Sequence, residues 1–337
     1  MTNVKRMPDP MSNSGRRRFA RDATALALLA TCPWSIARAD AYPARPVKLV
    51  VPFAAGGASD QIIRLIATKA APYLGGNIVI DNRTGAGGLV GSAYVASTAP
   101  DGYTLLANGT PLGMYHLMAG SRNFDQESIE PLSMLYLTPN VICVPADSGV
   151  DSLDTLIKEA KAPISKMNFG SPGIGTLGHL CGEIFNIRFG TALQHVPFRG
   201  TALLVTELLA GRIDVTLDNA LPYLQHIEAG KLRPLAMISS KRLDLLPEVP
   251  TLAELGVEDF DIESWAALWA PKGIEPAIAA RIGAAFTRAL EDPETSAALA
   301  KLAARPYPAD PGATGAYRTT MTRKYTEVIE TAGIKLD

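Results

Sequence analysis

The sequence predicts an α/β protein with two domains, each built on a largely parallel sheet covered by helices. Strand-like and helical segments alternate along the chain in two series, and a long apolar run separates the series. In each series, a glycine-rich loop follows a strand and opens a helix. Repeated strand–helix units favour parallel sheets. The alternation therefore predicts the fold class, and the interruption predicts the two domains.

The first series starts at residue 47. Ile62, Leu65 and Ile66 recur at helical spacing behind the first strand. A Pro-Asp-Gly turn at residues 100–102 leads into another strand. The apolar run at residues 132–144 is longer than an ordinary strand, so we expect it to serve two sheets in succession. The predicted segments are strands at 47–52, 78–80 and 104–107 and helices at 61–73 and 89–97.

The second series repeats the alternation, and Gly211 and Gly230 end two of its helices, as glycine does where a left-handed residue is needed. A second crossing strand is expected at residues 264–270, followed by three helices, two of which have proline (Pro276, Pro293) in the first turn. The second series has strands at 167–169, 192–197, 213–217 and 233–238 and helices at 152–160, 177–187, 202–210 and 221–229; the C-terminal helices are near 276–290, 293–302 and 314–332.

These segments divide the chain into a signal and two domains. We expect residues 40–140 and 262–337 to form the first domain and residues 141–261 to form the second. The motif Val-Pro-Phe occurs at residues 51–53 and again at residues 196–198. We interpret the two copies as equivalent positions in the two domains.

Residues 1–39 resemble an export signal. Two arginines followed by a variable residue and Phe19 approximate the twin-arginine pattern, and the apolar stretch at residues 23–30 is too short to span a membrane. A small-x-small site predicts cleavage after Ala39 and export to the periplasm. A disordered basic tail is the alternative. Thr before Cys32 fits a lipoprotein box poorly, so no lipid anchor is expected.

The remaining 298 residues hold 25 Lys and Arg and 31 Asp and Glu, a net charge of −6. An acidic balance gives no support for nucleic-acid binding. Two cysteines remain, Cys143 in a predicted strand and Cys181 in a predicted helix. We expect both to be buried free thiols, with a disulfide as the alternative in an oxidising compartment.

The two glycine loops carry the functional prediction. Residues 52–60 read PFAAGGASD and residues 170–176 read GSPGIGT. Glycines let a backbone turn its N–H groups inward, and the helix N-terminus that follows adds about half a positive charge. Each loop therefore suits a carboxylate or a phosphate. Two such loops, more than 100 residues apart, indicate two domains that close on one small anion.

Enzymatic readings fit the residues less well. Gly173, Gly175 and Gly178 have the dinucleotide-binding spacing, but the next strand ends in HVPFR without the acidic residue that would hold a ribose. Ser171 lacks the flanking glycines of a nucleophile elbow. We expect no catalytic residue, cofactor or metal; the four histidines, which lack metal-ligand spacing, are His116, His179, His195 and His226.

Three polar residues near the loops each allow two interpretations of their role. Asp60 either caps the backbone N–H groups of its helix or orients a ligand. Ser171 either donates its hydroxyl proton to a ligand oxygen or serves the turn. Arg199 either forms a forked pair with a carboxylate or is a surface charge. The glycines of residues 82–88 favour tight strand–helix packing over ligand binding.

A series of segments, taken together, resembles one family. They are YPARPV at 42–47, VPFAAGGASD at 51–60, DNRTGAGG at 81–88, PDGYTLL at 100–106, VPFRG at 196–200, LDN at 217–219, GKLRPLA at 230–236 and PEVPT at 247–251. In this order and at this spacing they resemble the Bug-type (TctC-like) solute receptors of tripartite tricarboxylate transporters. Phe198 and Arg199 stand where the family commonly has Tyr and Lys.

The resemblance implies a periplasmic binding protein of type II, a two-domain Venus-flytrap fold with two crossing strands and a ligand in the interdomain cleft. It implies a receptor without enzymatic activity, whose partners are the membrane subunits of the transporter. The ligand-binding residues carried over by the resemblance or suggested by the loops are Phe53, Ala54, Gly56, Gly57, Ser59, Asp60, Asn108, Thr110, Ser171, Gly173, Gly175, Thr176, Arg199, Asp218 and Asn219.

We therefore expect a monomeric periplasmic receptor that captures a small organic acid. A ligand sensor that presents its closed form to a sensor kinase is one alternative, and an exported nicotinamide-dependent oxidoreductase is another. The sequence leaves the ligand open among citrate-like acids, dicarboxylates, amino acids and aromatic carboxylates.

Overall fold

The structure is a computed structural model that describes residues 42–115, 124–162, 164 and 166–334. The predicted export signal, Cys32 and His116 lie outside the described residues. From Pro43 onward the chain forms one compact unit, which contains two sheets. No helix in the described part of the chain has the length and apolar character needed to cross a membrane.

The described residues contain eleven strands. They are β1 Val47–Val51, β2 Ile78–Asn82, β3 Thr104–Gly109, β4 Ile129–Thr138, β5 Asn140–Pro145, β6 Asn168–Ser171, β7 Gln194–Pro197, β8 Val215–Asn219, β9 Leu232–Ile238, β10 Ser264–Pro271 and β11 Arg305–Pro306. Every strand predicted from the sequence is present, with ends that differ by a few residues. The two-residue β11 was not predicted because it is too short to show a pattern.

Nine α-helices lie among the same described residues. They are α1 Ala58–Leu74, α2 Leu89–Ala96, α3 Leu153–Ala160, α4 Leu177–Phe189, α5 Thr201–Leu209, α6 Leu224–Glu228, α7 Pro276–Glu291, α8 Pro293–Ala300 and α9 Pro311–Ala332. Pro276 and Pro293 occupy the first positions of α7 and α8, where a missing N–H costs nothing. Gly211 and Gly230 have positive φ just beyond α5 and α6, as predicted.

The two sheets have matching strand arrangements. The six-stranded sheet has the order β11-β4-β10-β3-β1-β2, and the five-stranded sheet has the order β7-β6-β8-β5-β9. In each, a central strand (β1 or β6) pairs in parallel with two neighbours, and two antiparallel pairings follow. β1 thus corresponds to β6, and the glycine loops that follow these strands occupy equivalent positions.

The matching arrangement corrects one expectation. The Val-Pro-Phe copies at residues 51–53 and 196–198 end β1 and β7, and β7 corresponds to β2 rather than to β1. The interpretation of the two copies as equivalent was therefore wrong. A proline after apolar residues marks the end of a strand, because it cannot donate to the ladder, but it does not report the place of that strand in the sheet.

The chain passes between the sheets twice. The apolar run at residues 132–144 is divided between β4 and β5, with only Pro139 between them, which confirms that it serves both sheets. The return passage is residues 239–263, and β10 belongs wholly to the first sheet. The expectation that the strand at residues 264–270 itself crosses was therefore wrong, because all its pairings are with β3 and β4. Asn140 ties the two passages together, because its Nδ2 donates to the Ile262 carbonyl over 2.8 Å.

The core continues from one sheet to the other. One apolar cluster includes Val50 and Leu106 of the first sheet and Ile142 of the second, and α9 packs against α4. Cys181 belongs to this cluster, whereas Cys143 lies in a separate one. Both thiols are buried and free, as expected, and burial raises the pKa of each.

Gly109 marks the closest approach of β3 to β10. A methyl group there would overlap the backbone carbonyl of Trp265, and backbone on both sides cannot move without breaking the sheet. We expect Gly109→Ala to lower the free energy of unfolding by about 3 kcal/mol. Gly315→Ala is the matched control. Gly315 lies within α9, and a methyl group there would meet only Pro131, at 3.8 Å. This substitution should raise the free energy of unfolding by up to about 1 kcal/mol.

Urea unfolding of the wild type and of the two variants measures both effects. Equal stability of the Gly109→Ala variant and the wild type would contradict this packing of β3 on β10.

Candidate functional site

The ends of several strands meet where the two sheets adjoin. β1, β3 and β4 run in the same direction, because β10 is antiparallel to both β3 and β4. β6, β7 and β8 also run together, and β5 starts at the edge where they end. Pro139 joins the end of β4 to the start of β5, so these two edges adjoin. All the predicted ligand-binding residues follow or end β1, β3, β6, β7 or β8.

The first glycine loop, residues 54–57, is held in a turn in front of α1. The Gly57 N–H donates to the Ala54 carbonyl over 3.2 Å. Gly56 has φ of +79°, a left-handed conformation that favours glycine. Its N–H donates to Asp60 Oδ2 over 2.8 Å. Asp60, the third residue of α1, therefore has a structural role, as in the first of its two interpretations, but the N–H that it accepts belongs to the loop and not to the helix.

The carboxylate of Asp60 is buried, and both of its oxygens accept hydrogen bonds from the protein. Oδ2 also accepts from Arg64 Nε over 2.8 Å, and Oδ1 accepts from Asn82 Nδ2 over 2.8 Å. Burial acts to raise the pKa of Asp60, but the hydrogen bonds from Arg64, Asn82 and Gly56 outweigh it, and the pKa lies below the ordinary value. A contact of Asp60 with a ligand stays a prediction.

The start of α1 leaves backbone donors for a ligand. The N–H groups of Ala58 and Ser59 lie in the first helical turn, where no carbonyl of the helix can reach them. Residues 54–57 in front of them are exposed. The Ser59 hydroxyl bonds to Tyr136 of β4, whose pKa burial raises to about 12. Sequence reasoning missed Tyr136, since it lies inside an apolar run without any polar motif.

The second glycine loop, residues 173–176, has the same geometry in front of α4. The Thr176 N–H donates to the Gly173 carbonyl over 3.2 Å, and Gly175 has φ of +73°. The Gly175 N–H donates to His179 Nδ1 over 3.2 Å. Thr176 Oγ1 donates to the Gly173 carbonyl over 2.7 Å. The capping residue is thus a histidine that sequence reasoning had read as merely structural.

Two stacked imidazoles lie beneath the second glycine loop. The rings of His179 and His195 are 3.7 Å apart at 10°, and Phe169 stacks on His195 at 4.8 Å. Ser171 Oγ lies 2.7 Å from His195 Nε2, accepts from the Gly173 N–H and lies 3.0 Å from the Gly173 carbonyl. When the hydroxyl donates to that carbonyl, Nε2 of a neutral His195 donates to the hydroxyl.

Burial, followed by the influence of His179, lowers the pKa of His195 to about 4. His195 is therefore neutral near pH 7. The Ser171 hydroxyl is occupied within the loop, so its second reading, as a turn residue, is the one the hydrogen bonds show. Its contact with a ligand stays a prediction.

Asn108 and Thr110 support the segment after β3. Both are buried. Asn108 Nδ2 donates to Ser92 Oγ and to the Tyr115 hydroxyl over 3.0 Å each, and its Oδ1 accepts from the Gly109 N–H over 2.8 Å. Thr110 Oγ1 accepts from the Trp265 N–H over 3.0 Å. These side chains hold the backbone in place, and their direct contact with a ligand stays a prediction.

Asp218 is a buried acid beside the second glycine loop. A Cβ atom built on Gly178, in the first turn of α4, would lie 3.1 Å from Asp218 Oδ1. Burial raises the pKa of Asp218 to about 6, opposed by hydrogen bonds from the Asn219 backbone, Tyr223 and Thr201. The Asn219 side chain instead spans the sheets, since its Nδ2 donates to Thr138 Oγ1 over 2.7 Å.

Arg199 is the exposed cation at this edge. The Phe198 N–H donates to the Ser171 carbonyl over 2.9 Å and the Gly200 N–H donates to the Pro172 carbonyl over 3.0 Å. These bonds hold Arg199 beside the second glycine loop. Within the described part of the chain its guanidinium has no ion pair or hydrogen bond, and no group of three or more His, Cys, Asp or Glu residues there could hold a metal.

Comparison with known proteins identifies the family. The model of the tripartite tricarboxylate transporter family receptor matches residues 62–334. Protein BugT of Bordetella pertussis is 36% identical over 301 residues, which cover 88% of this chain and 92% of BugT.

The fold is that of solved periplasmic binding proteins. An R. palustris protein solved with adipate is 31% identical, with a TM-score of 0.79 over 87% of this chain and 99% of that one. MatC of Rhodopseudomonas palustris, solved with bound malate, is 27% identical, with a TM-score of 0.68 over 88% of this chain and 100% of MatC. The chain belongs to the tripartite tricarboxylate transporter family of receptors, which are periplasmic solute-binding proteins and not enzymes.

Proposed function

We propose that this receptor captures a small dicarboxylate between its two glycine loops and delivers it to a membrane transporter of the tripartite tricarboxylate type. The observation that carries the proposal is the pair of matching loops, each in front of a helix N-terminus and each at one of two adjoining sheet edges. Each helix N-terminus suits one carboxylate group. A ligand with two carboxylates satisfies both loops at once.

The proposed affinity comes mainly from backbone N–H groups. Asp60 and Asp218 are both acidic residues near the loops, and neither would attract an anion. Arg199 is the cation placed to pair with one carboxylate in a forked geometry. The related proteins solved with adipate and with malate support a dicarboxylate, since both acids carry two carboxylate groups at different separations.

Capture requires the two loops to approach each other. We infer that residues 40–140 with 262–337 move as one domain and residues 141–261 as the other, after removal of a signal at residues 1–39. The hinge is Pro139 together with the return passage at residues 239–263. Closure of two domains about a few connecting residues is a common way to enclose a ligand.

A panel of acids tests this function. Adipate, malate, citrate, aspartate and benzoate are added to the purified protein, and the melting temperature is measured for each. A cognate dicarboxylate at 100 times its Kd stabilises the protein by about 2.7 kcal/mol, which should raise the melting temperature by about 5 °C or more. The absence of any shift, together with a native mass spectrum without a retained acid, would contradict the proposal.

A charge placed in the first glycine loop should block the site. Ala54 is exposed at its start, and Ala54→Glu puts a carboxylate where a ligand carboxylate is expected. We expect dicarboxylate affinity to fall at least tenfold, measured by isothermal titration calorimetry, because like charges repel at close range. Ala54→Gln, of nearly the same size, should lose about threefold or less.

Ala277→Glu is the control for this pair. Ala277 is exposed and lies in the first turn of α7, but α7 follows the end of β10 at the opposite edge of the first sheet. The dicarboxylate affinity of the Ala277→Glu variant should match that of the wild type. An Ala54→Glu variant with unchanged affinity would remove the first glycine loop from the site.

Asp218 separates the remaining ligand classes. An ionised carboxylate beside α4 opposes a bound dicarboxylate, so Asp218→Asn should tighten dicarboxylate binding several-fold at pH 7.5. The gain should shrink as the pH falls toward about 6, where the carboxyl of the wild type is itself half protonated. An amino acid ligand predicts the reverse, because its ammonium group would pair with Asp218. Titration calorimetry of both proteins at pH 7.5 and 6.0 decides between them.

A further inference from the structure

The two glycine loops are capped by the same position of the helix that follows, but by side chains of different chemistry. Asp60 is the third residue of α1, and His179 is the third residue of α4. Each accepts the N–H of the residue four positions before it, Gly56 in one case and Gly175 in the other. Both of these glycines are left-handed, and the N–H of each is held by a side chain of the helix.

The similarity between the starts of α1 and α4 continues one helical turn further, but with the charges reversed. Arg64 lies four residues after Asp60 and donates from Nε to Oδ2 over 2.8 Å. Glu183 lies four residues after His179, and its Oε1 is 3.7 Å from His179 Nε2. In the first case a cation faces a carboxylate cap; in the second a carboxylate faces an imidazole cap. Because the Gly175 N–H donates to Nδ1, a neutral His179 carries its proton at Nε2, on the side of Glu183.

We propose that His179 is the positioning residue of the second glycine loop and makes that loop sensitive to acid, whereas Asp60 holds the first loop independently of pH. The role in ligand capture rests on the proposed function; the role in holding the loop does not. A neutral imidazole accepts the Gly175 N–H at Nδ1. A protonated imidazole has N–H groups at both nitrogens, so it would face Gly175 with donor against donor and release the loop.

His179 is the titratable group that accepts the Gly175 N–H. Its partner His195 has a pKa of about 4 and stays neutral over the range in which imidazoles in water titrate. Asp60 keeps its charge there because its pKa is lowered. The charge of a protonated His179 would attract an anion, but Glu183 offsets it. Among the described residues, Glu183 on α4 and His195 on β7 face His179, and Asp218 lies beside Gly178 of α4. On α9, which packs against α4, Arg318 and Lys324 pair with Glu127 and Asp261.

Amide hydrogen exchange in the ligand-free protein tests the positioning role directly. NMR of 15N-labelled protein gives the protection factor of the Gly175 amide, which corrects for the intrinsic effect of pH on exchange. For the wild type we expect at least tenfold lower protection at pH 5.5 than at pH 7.5. His179→Leu removes the acceptor and should show low protection of the Gly175 amide at both pH values. His179→Asn keeps a non-titrating acceptor and should show equal protection at both.

His226→Asn is the matched control, since His226 lies on α6 and contacts only Gln225 among the described side chains; it should behave as the wild type. Wild-type protection in His179→Leu would overturn the proposal, and so would an acid-induced loss that persists in His179→Asn. Should His179→Leu fail to fold, the comparison of His179→Asn with the wild type still decides.

Adipate binding then tests the consequence for capture, with Asp218→Asn as the common background so that Asp218 does not titrate. With His179 present, affinity for the dianion should fall about tenfold between pH 7.5 and 5.5; with His179→Asn it should change less than threefold. Tighter binding in acid that depends on His179 would overturn the capture role. No adipate binding at all, with the expected exchange results, would instead refute adipate as ligand and leave the positioning role standing.

Discussion

The site depends on one contact made twice, the hydrogen bond from a left-handed glycine N–H to the side chain at the third position of the following helix. Gly56 and Gly175 each lie just before the N-cap residue of the helix, so this bond holds the loop and leaves the N–H groups of the first helical turn without partners inside the helix. A residue with a Cβ atom at Gly56 or Gly175 would be strained by about 1–2 kcal/mol, so the loop shape and the glycines go together.

The electrostatics of the site follow from these caps. Asp60 lies close to an anion site, but Arg64 and Asn82 compensate its charge. Burial raises the pKa of Asp218 to about 6, so its carboxyl is still largely ionised near pH 7 and opposes a bound anion. Under the proposed function, binding mainly through oriented backbone dipoles avoids the cost of burying an unpartnered cation in the empty site, since Arg199 is exposed.

The two sheets explain why the loops can act together. Their strand arrangements match, so each sheet presents its glycine loop at the same relative place, and Pro139 brings the two edges next to each other. The connection is short at β4 and longer on the return, and Asn140 bonds the two passages. Asn219 and Thr138 add a polar contact between the sheets beside the candidate site.

The sequence by itself determined the strand–helix alternation, the division of residues 132–144 between two sheets and the two glycine loops, because these are local patterns of apolar spacing and turn residues. It also carried the family resemblance. Only the tertiary structure decided that β1 corresponds to β6, that Asn108 and Asp60 are occupied by protein partners, and that Tyr136 and His179 belong to the site. These facts depend on hydrogen bonds and strand pairings between residues far apart in the chain, which local patterns do not encode. His179 did carry one local signal, its place as third residue after a Gly-Thr helix start, but histidine is an uncommon cap and only its contact with Gly175 shows the role.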